Sequence, residues 1–96
     1  MNEVLVLTFV SHYDAIRAKA FFINGEGKSV FSDSKEHFNL SPTPRRISST
    51  CATCLIGDNN TIDAIKMHKD LFLSISGVEG IYILKDNKKE VIYEHG

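Results

Sequence analysis

The stretch Val4-Leu5-Val6-Leu7-Thr8-Phe9-Val10-Ser11-His12-Tyr13-Asp14 predicts a strand that runs directly into a helix. Residues 4–10 are almost continuously apolar and rich in β-branched side chains, which is typical of a strand buried on both faces. Ser11 followed by Asp14 resembles a capping box with a shorter acidic arm. A helix of about twelve residues should follow. Its apolar residues at helical spacing are Tyr13, Ile16, Ala20 and Ile23, and Asn24-Gly25 supplies its end.

The rest of the chain repeats this alternation of strands and helices. A short strand is expected near His37–Leu40, after a surface insertion, and Pro42 and Pro44 should end regular structure because each lacks a backbone donor. Further strands are predicted at Thr53–Ile56, Ile81–Leu84 and Val91–Tyr93, and a second helix has Asn60 as its cap and Ile62, Ile65 and Phe72 on its core face. The predicted fold is therefore α+β, a ferredoxin-like split βαβ sandwich (βαββαβ) with an extra C-terminal strand, in one domain covering residues 1–96.

Composition excludes several classes of function. Eleven basic and twelve acidic side chains give a net charge of −1, which provides no general attraction to nucleic acid. No segment approaches the roughly 20 apolar residues that span a bilayer, and the apolar N-terminus follows an acidic residue instead of a basic leader. Two cysteines do not form a disulfide framework. We expect a cytoplasmic protein without a membrane segment or cofactor.

Both cysteines lie in the segment Ser41–Cys54, which also contains two prolines, the pair Arg45-Arg46 and a run of hydroxyl side chains. The thiolate is the nucleophilic form of cysteine, and neighbouring positive charge favours it. An unperturbed thiol with a pKa of about 8.5 is only about 3% ionised at pH 7. The segment therefore indicates sulfur chemistry at a loop that the prolines stiffen.

Two segments resemble a bacterial family of small selenium/sulfur carrier-like domains. They are Phe9-Val10-Ser11-His12-Tyr13-Asp14-Ala15 and Pro42-Thr43-Pro44-Arg45-Arg46-Ile47-Ser48-Ser49-Thr50-Cys51. The second matches the Pro-Thr-Pro-Arg, Ile-Ser-Ser and Cys pattern of the family. The chain departs from that pattern at Ala52, where the family has glycine, and at Lys19, where an acidic residue is common. Several extra residues also separate the first helix from Pro42.

The resemblance implies a carrier that holds sulfur or selenium on Cys51 as a persulfide or selenosulfide. In this hypothesis Arg45 and Arg46 stabilise the anion, with further donors from Ser48 and Ser49. Cys54 would release the cargo by attacking Cys51. The protein would act as a protein substrate between a donor, such as a cysteine desulfurase or a selenium-delivery protein, and an acceptor enzyme, and not as a stand-alone enzyme.

Other interpretations of the same residues remain open. The chain could be a noncatalytic anion- or protein-binding, regulatory domain with a redox switch between Cys51 and Cys54. Either cysteine could instead be a small apolar residue of the core. His12 could be a base toward Cys51 or a solvated residue of the first helical turn. The four histidines share no ligand-like spacing, so no metal site is predicted, and the last strand could pair with a second copy in a homodimer.

Overall fold

The computed structural model describes residues 3–31 and 35–95. Its elements are β1 (Glu3–Phe9), α1 (His12–Asn24), a short 3₁₀ helix (Glu26–Val30), β2 (Phe38–Pro42), β3 (Thr53–Gly57), α2 (Asn59–Met67), α3 (Lys69–Leu73), β4 (Val78–Lys85) and β5 (Lys88–Glu94). The strands form a five-stranded sheet in the order β2-β3-β1-β4-β5, and every neighbouring pair is antiparallel. The α+β class and the additional C-terminal strand are confirmed. Part of the predicted surface insertion, residues 32–34, lies outside the described residues.

Strand β1 occupies the centre of the sheet, as its continuous apolar sequence predicts. It pairs with β3 on one side and with β4 on the other, so that Leu5 lies opposite both Gly57 and Ile83. Leu5 and Leu7 point to the face that the helices cover, whereas Val6 belongs to a second apolar cluster on the opposite face. All three side chains are fully buried. No helix in the described parts of the chain is long and apolar enough to cross a membrane.

Helix α1 begins where the sequence predicts but presents a different face to the sheet. Ser11 is its N-cap and accepts a hydrogen bond from the backbone N–H of Asp14 at 3.2 Å. The side chains buried against the sheet are Ala15, Ala18 and Phe22. The large apolar residues at helical spacing do not mark this face, since Tyr13 and Ile16 are 67% and 42% exposed. The two alanines let the helix approach the sheet closely, and Phe22 fills the space beyond them.

The second predicted helix is divided into two. Its cap is Asp58 and not Asn60, because the Asp58 carboxylate accepts hydrogen bonds from the N–H groups of Asn60 and Thr61. Helix α2 ends at Met67, His68 leaves helical geometry with φ −130° and ψ 39°, and α3 follows. The predicted core position Phe72 therefore lies in α3. Its ring packs 5.0 Å from that of Phe22, centroid to centroid.

The face of the sheet opposite the helices is partly covered by the connection between β2 and β3, residues 43–52, which we call the cysteine loop. Its anchor is Ile47, which is 5% exposed and packs in one cluster with Val6, Cys54 and Tyr82. Strand β2 ends at Pro42, as predicted, and Pro42 is its last paired residue, opposite Thr53. At the edge of a sheet, a proline sacrifices no ladder hydrogen bond.

Candidate functional site at the cysteine loop

The cysteine loop is closed at its base by hydrogen bonds that continue the β2–β3 pairing. The Thr43 backbone N–H donates to the Ala52 carbonyl at 2.8 Å, and the Thr43 hydroxyl donates to the Cys51 carbonyl at 3.1 Å. A turn follows in which the Ile47 N–H donates to the Pro44 carbonyl at 3.0 Å. These bonds fix the backbone on both sides of Cys51 in space.

Cys51 lies just before β3 and is partly exposed to solvent. Its own N–H donates to the Ser49 hydroxyl at 3.2 Å. Its Sγ accepts a hydrogen bond from the backbone N–H of Thr53 at 3.4 Å. The residue is thus partly open to solvent, and its sulfur faces a fixed hydrogen-bond donor of the kind that interacts more strongly with an anionic acceptor.

His12 is brought to this site by the pairing of β1 with β3. Its Nδ1 lies 2.9 Å from the Thr53 hydroxyl, in the same residue whose N–H faces Cys51. Because Thr8 pairs with Cys54, the residues that follow β1 lie beside those that precede β3. Correct strand pairing was the signal that would have predicted this proximity. It is compatible with a role for His12 at Cys51, which stays a prediction.

Cys54 has the opposite environment. Its side chain is fully buried in the second apolar cluster, and its S–H donates to the Pro42 carbonyl at 3.7 Å. Burial raises the pKa of Cys54 to about 11, against a smaller lowering by a hydrogen bond with Thr43, and negative charge on Cys51 raises it further. Cys54 is therefore a neutral thiol near pH 7. These observations favour a core residue, and a release role for Cys54 stays a prediction.

The hydroxyl side chains of the loop bind a carboxylate that sequence reasoning missed. The Ser49 hydroxyl donates to Glu79 Oε1 at 2.8 Å, and the Thr50 hydroxyl donates to Oε2 at 2.8 Å, with the Thr50 N–H adding a third bond at 3.3 Å. Burial opposes ionisation of Glu79, but the hydrogen bonds from Thr50 and Ser49 outweigh it and lower its pKa. The predicted anion donor Ser49 is thus engaged with an internal anion. Ser48 is exposed.

The two arginines belong to a different part of the surface from the contacts of Cys51. Both are exposed, and Arg46 Nη1 donates to the carbonyl of Asp86 in the β4–β5 turn at 2.7 Å. Lys89 Nζ donates in return to the Arg46 carbonyl at 3.4 Å. Among residues 3–31 and 35–95, the hydrogen bonds of the Arg46 guanidinium and of the Cys51 sulfur go to other groups. Stabilisation of an anion on Cys51 by Arg45 and Arg46 stays a prediction.

A cleft of about 330 Å³ opens beside the loop. It is lined by Ser48, Ser49, Thr50, Glu79, Tyr82, Glu94 and His95. The Tyr82 hydroxyl donates to Glu94 at 3.1 Å, and burial first, then the neighbouring Glu94, raises the pKa of Tyr82 to about 12. Within the described residues, no group of three or more His, Cys, Asp or Glu side chains is arranged to hold a metal ion.

Comparisons with known proteins returned no relative of this chain: no protein family, no curated protein and no solved structure matches it.

Proposed function

We propose that this chain is a ferredoxin-like, cytoplasmic carrier of sulfur or selenium that holds its cargo on Cys51. The ferredoxin-like assignment is supported by the strand order β2-β3-β1-β4 and by the packing of α1 and α2 in one apolar cluster against the sheet. In a split βαβ arrangement, two right-handed crossovers place both helices on the same face. The fold alone does not determine the activity, which is argued from the site.

The observation that carries the proposal is the contrast between the two thiols. Cys51 is partly exposed and its sulfur faces the Thr53 N–H, whereas Cys54 is fully buried. A carrier needs one thiol that a partner can reach and fixed donors that can hold a terminal sulfur anion. The resemblance of Pro42–Cys51 to the Pro-Thr-Pro-Arg, Ile-Ser-Ser and Cys pattern, which rests on the sequence alone, points to the same residue.

The departure from that family at Ala52 is compatible with the loop geometry. Among the described residues, Asp86 is the one non-glycine residue with a positive φ, so the backbone at Ala52 does not need glycine. A Cβ atom at this exposed position therefore introduces no backbone strain. We infer that alanine can replace glycine after the carrier cysteine without altering the loop.

The loading step is a transfer of a sulfur atom between thiols. The Cys51 thiol loses its proton, and its thiolate attacks the terminal sulfur of a persulfide on the donor protein. A sulfur–sulfur bond forms on Cys51, the sulfur–sulfur bond of the donor breaks, and the donor cysteine leaves as a thiolate that takes up a proton. No external oxidant or reductant is consumed. The donor is a cysteine desulfurase, or a selenium-delivery protein in the equivalent selenium reaction.

We propose that delivery uses the same exchange reaction, with a thiolate of the acceptor as the attacking group. A thiolate of an acceptor enzyme attacks the terminal sulfur on Cys51, which regenerates the Cys51 thiolate. Attack by Cys54 would first require the cysteine loop to open, because the Cys54 sulfur is buried beneath Ile47 and ionises with difficulty. The acceptor, and not Cys54, is therefore the proposed route of release.

Intact mass spectrometry without reductant tests the proposal. The native chain, Cys51→Ser and Cys54→Ser are each incubated with a cysteine desulfurase and cysteine. We expect a mass increase of one sulfur atom, removable by reductant, in the native chain and in Cys54→Ser but not in Cys51→Ser. Equal loading of Cys51→Ser would contradict the proposal, as would absence of loading on a native chain whose Cys51 still reacts with an alkylating reagent.

A further inference from the structure

Five basic side chains from two distant segments meet at one end of the molecule. Arg45 and Arg46 lie in the cysteine loop, and Lys85, Lys88 and Lys89 surround the β4–β5 turn. The two segments are joined by the bond from Arg46 to the Asp86 carbonyl and by the bond from Lys89 to the Arg46 carbonyl. We call these five residues the basic patch. All are exposed except Lys85, which is partly buried.

The basic patch makes the charge distribution of the chain asymmetric. It contains five of the eleven basic side chains. Three of the twelve carboxylates lie beside it: Asp86 and Glu90 near the β4–β5 turn, and Glu3, which pairs with Lys85. Five positive and three negative charges give +2 for this end of the molecule. Six positive and nine negative charges give −3 for the remainder, which reproduces the net charge of −1. The small net charge of the chain therefore conceals an uneven distribution of charge.

Pairing within the sheet accounts for only part of this concentration of charge. Lys85 has an oppositely charged neighbour on one side, since it pairs with Glu3 of β1. In the β4–β5 pairing, however, Lys85 lies directly opposite Lys88, and like charges in directly opposed positions destabilise a sheet. Lys89 has a local role, with its ammonium group 5.7 Å from the centroid of the Tyr82 ring. A polar or acidic residue at position 88 would give a more stable hairpin.

We propose that the basic patch is a docking surface for an acidic segment of a partner protein. Complementary charge accelerates encounter and determines orientation, and an acidic peptide matches a patch of this sign. A nucleic acid is a poorer match, because its long run of phosphates would also meet the remainder of the chain, whose charge is −3. The inference does not depend on sulfur chemistry at Cys51. It goes beyond the carrier proposal by assigning partner recognition to Lys85, Lys88 and Lys89.

Fluorescence anisotropy with a labelled oligoglutamate peptide tests this surface. The native chain should bind the peptide weakly, and the affinity should fall as salt rises from about 0.05 to about 0.2 M, because ions screen exposed charges. Arg45→Glu/Lys88→Glu should weaken binding at least about tenfold. The exposed pair Lys66→Glu/Lys69→Glu changes the net charge equally outside the patch and should have an effect several-fold smaller.

Two results would overturn the inference. The first is equal loss of affinity in the two charge-reversed variants, since this would show a response to net charge alone. The second is binding of a single-stranded oligodeoxythymidylate at least as tight as binding of the peptide. The single variant Lys88→Glu controls for misfolding, because it places a carboxylate opposite Lys85. It should raise the thermal unfolding temperature and still weaken peptide binding.

Discussion

At the scale of single residues, two cysteines that are close in sequence have different chemistry because one precedes the strand and the other is part of it. The side chain of Cys54 lies on the sheet face that Ile47 covers, and burial there raises its pKa to about 11. Cys51 lies in the bend before β3, with its sulfur against a backbone donor. Position relative to the strand start, and not the presence of a two-cysteine motif, separates the partly exposed thiol from the buried one.

Alkylation of the native protein should therefore modify one cysteine. At pH 8, a thiol with a pKa of about 11 is only about 0.1% ionised, and Cys54 is also inaccessible. We expect iodoacetamide to label Cys51 in the folded state and Cys54 only after denaturation, as measured by peptide mass spectrometry. Labelling of both residues at similar rates in the native protein would contradict the assignment of Cys54 to the core.

Glu79 is the residue through which acid should act on the cysteine loop. Its folded-state pKa lies below the ordinary value of 4.5, so its contribution to stability is complete above that pH and is lost as pH falls through the lowered pKa. Glu79→Gln should reduce the free energy of unfolding by about 1 kcal/mol at pH 7, where the charged hydrogen bonds are lost.

Denaturant titrations of the native chain and Glu79→Gln at a series of pH values test this effect. The difference between the two proteins should be constant from pH 7 down to about 5 and should shrink at lower pH, as the native carboxylate protonates. Glu90→Gln removes an exposed carboxylate of β5 and serves as the control. A difference that grows on acidification would contradict the proposed bonding of Glu79 to the loop.

At the scale of elements, the sequence predicts the identity of most strands and helices more accurately than their inward faces. In helix α1 the large apolar residues Tyr13 and Ile16, which recur at helical spacing, are exposed, and Ala15 and Ala18 face the sheet instead. Hydrophobicity alone favours the larger side chains, whereas close packing of a helix on a sheet favours the smaller ones. Likewise Asp58 caps α2 because its charged oxygen reaches two N–H groups, which the spacing of apolar residues does not reveal.

The cysteine loop is an element without regular structure, and its position depends largely on one side chain. Ile47→Ala should lower the free energy of unfolding by about 2 kcal/mol, because it removes buried apolar atoms and leaves a cavity in their place. The same change should expose Cys54 to iodoacetamide in the native state. Chemical denaturation and alkylation measure the two effects.

Val91→Ala provides the matched control for the loop anchor. Val91 is 47% exposed on β5, so its truncation should cost well under half as much as that of Ile47 and should leave Cys54 protected. If Ile47→Ala lowered stability yet left Cys54 as slow to react as before, the cysteine loop would not be the cover of that thiol.

At the scale of the whole molecule, the order of elements was predictable and the contacts among loops were not. The continuous apolar run of β1 indicated a central strand, and the alternation of elements indicated a single α+β sheet with helices. The bonds from Ser49 to Glu79 and from Arg46 to Asp86 join residues 30 and 40 positions apart. Such contacts depend on strand register and on the path of an irregular loop, for which the chain contains no local signal.

These distant contacts also change the interpretation of the candidate site. Sequence proximity suggested that Arg45, Arg46, Ser48 and Ser49 would surround a Cys51 anion. In the folded molecule, Ser49 donates to Glu79 and Arg46 donates to the β4–β5 turn. The Thr53 N–H donates to the Cys51 sulfur, and the Thr53 hydroxyl lies beside His12. The arginines become part of a basic surface that includes residues from the end of the chain.

The most direct test of the central proposal is to map the transferred sulfur on the unmutated protein. After incubation with a cysteine desulfurase and cysteine, free thiols and persulfides are blocked by alkylation, and the peptide containing both cysteines is fragmented between them. We expect one additional sulfur atom on Cys51 and none on Cys54. Two results would contradict this expectation. One is an additional sulfur atom on Cys54, and the other is a Cys51 that the alkylating reagent labels completely but that carries no additional sulfur atom.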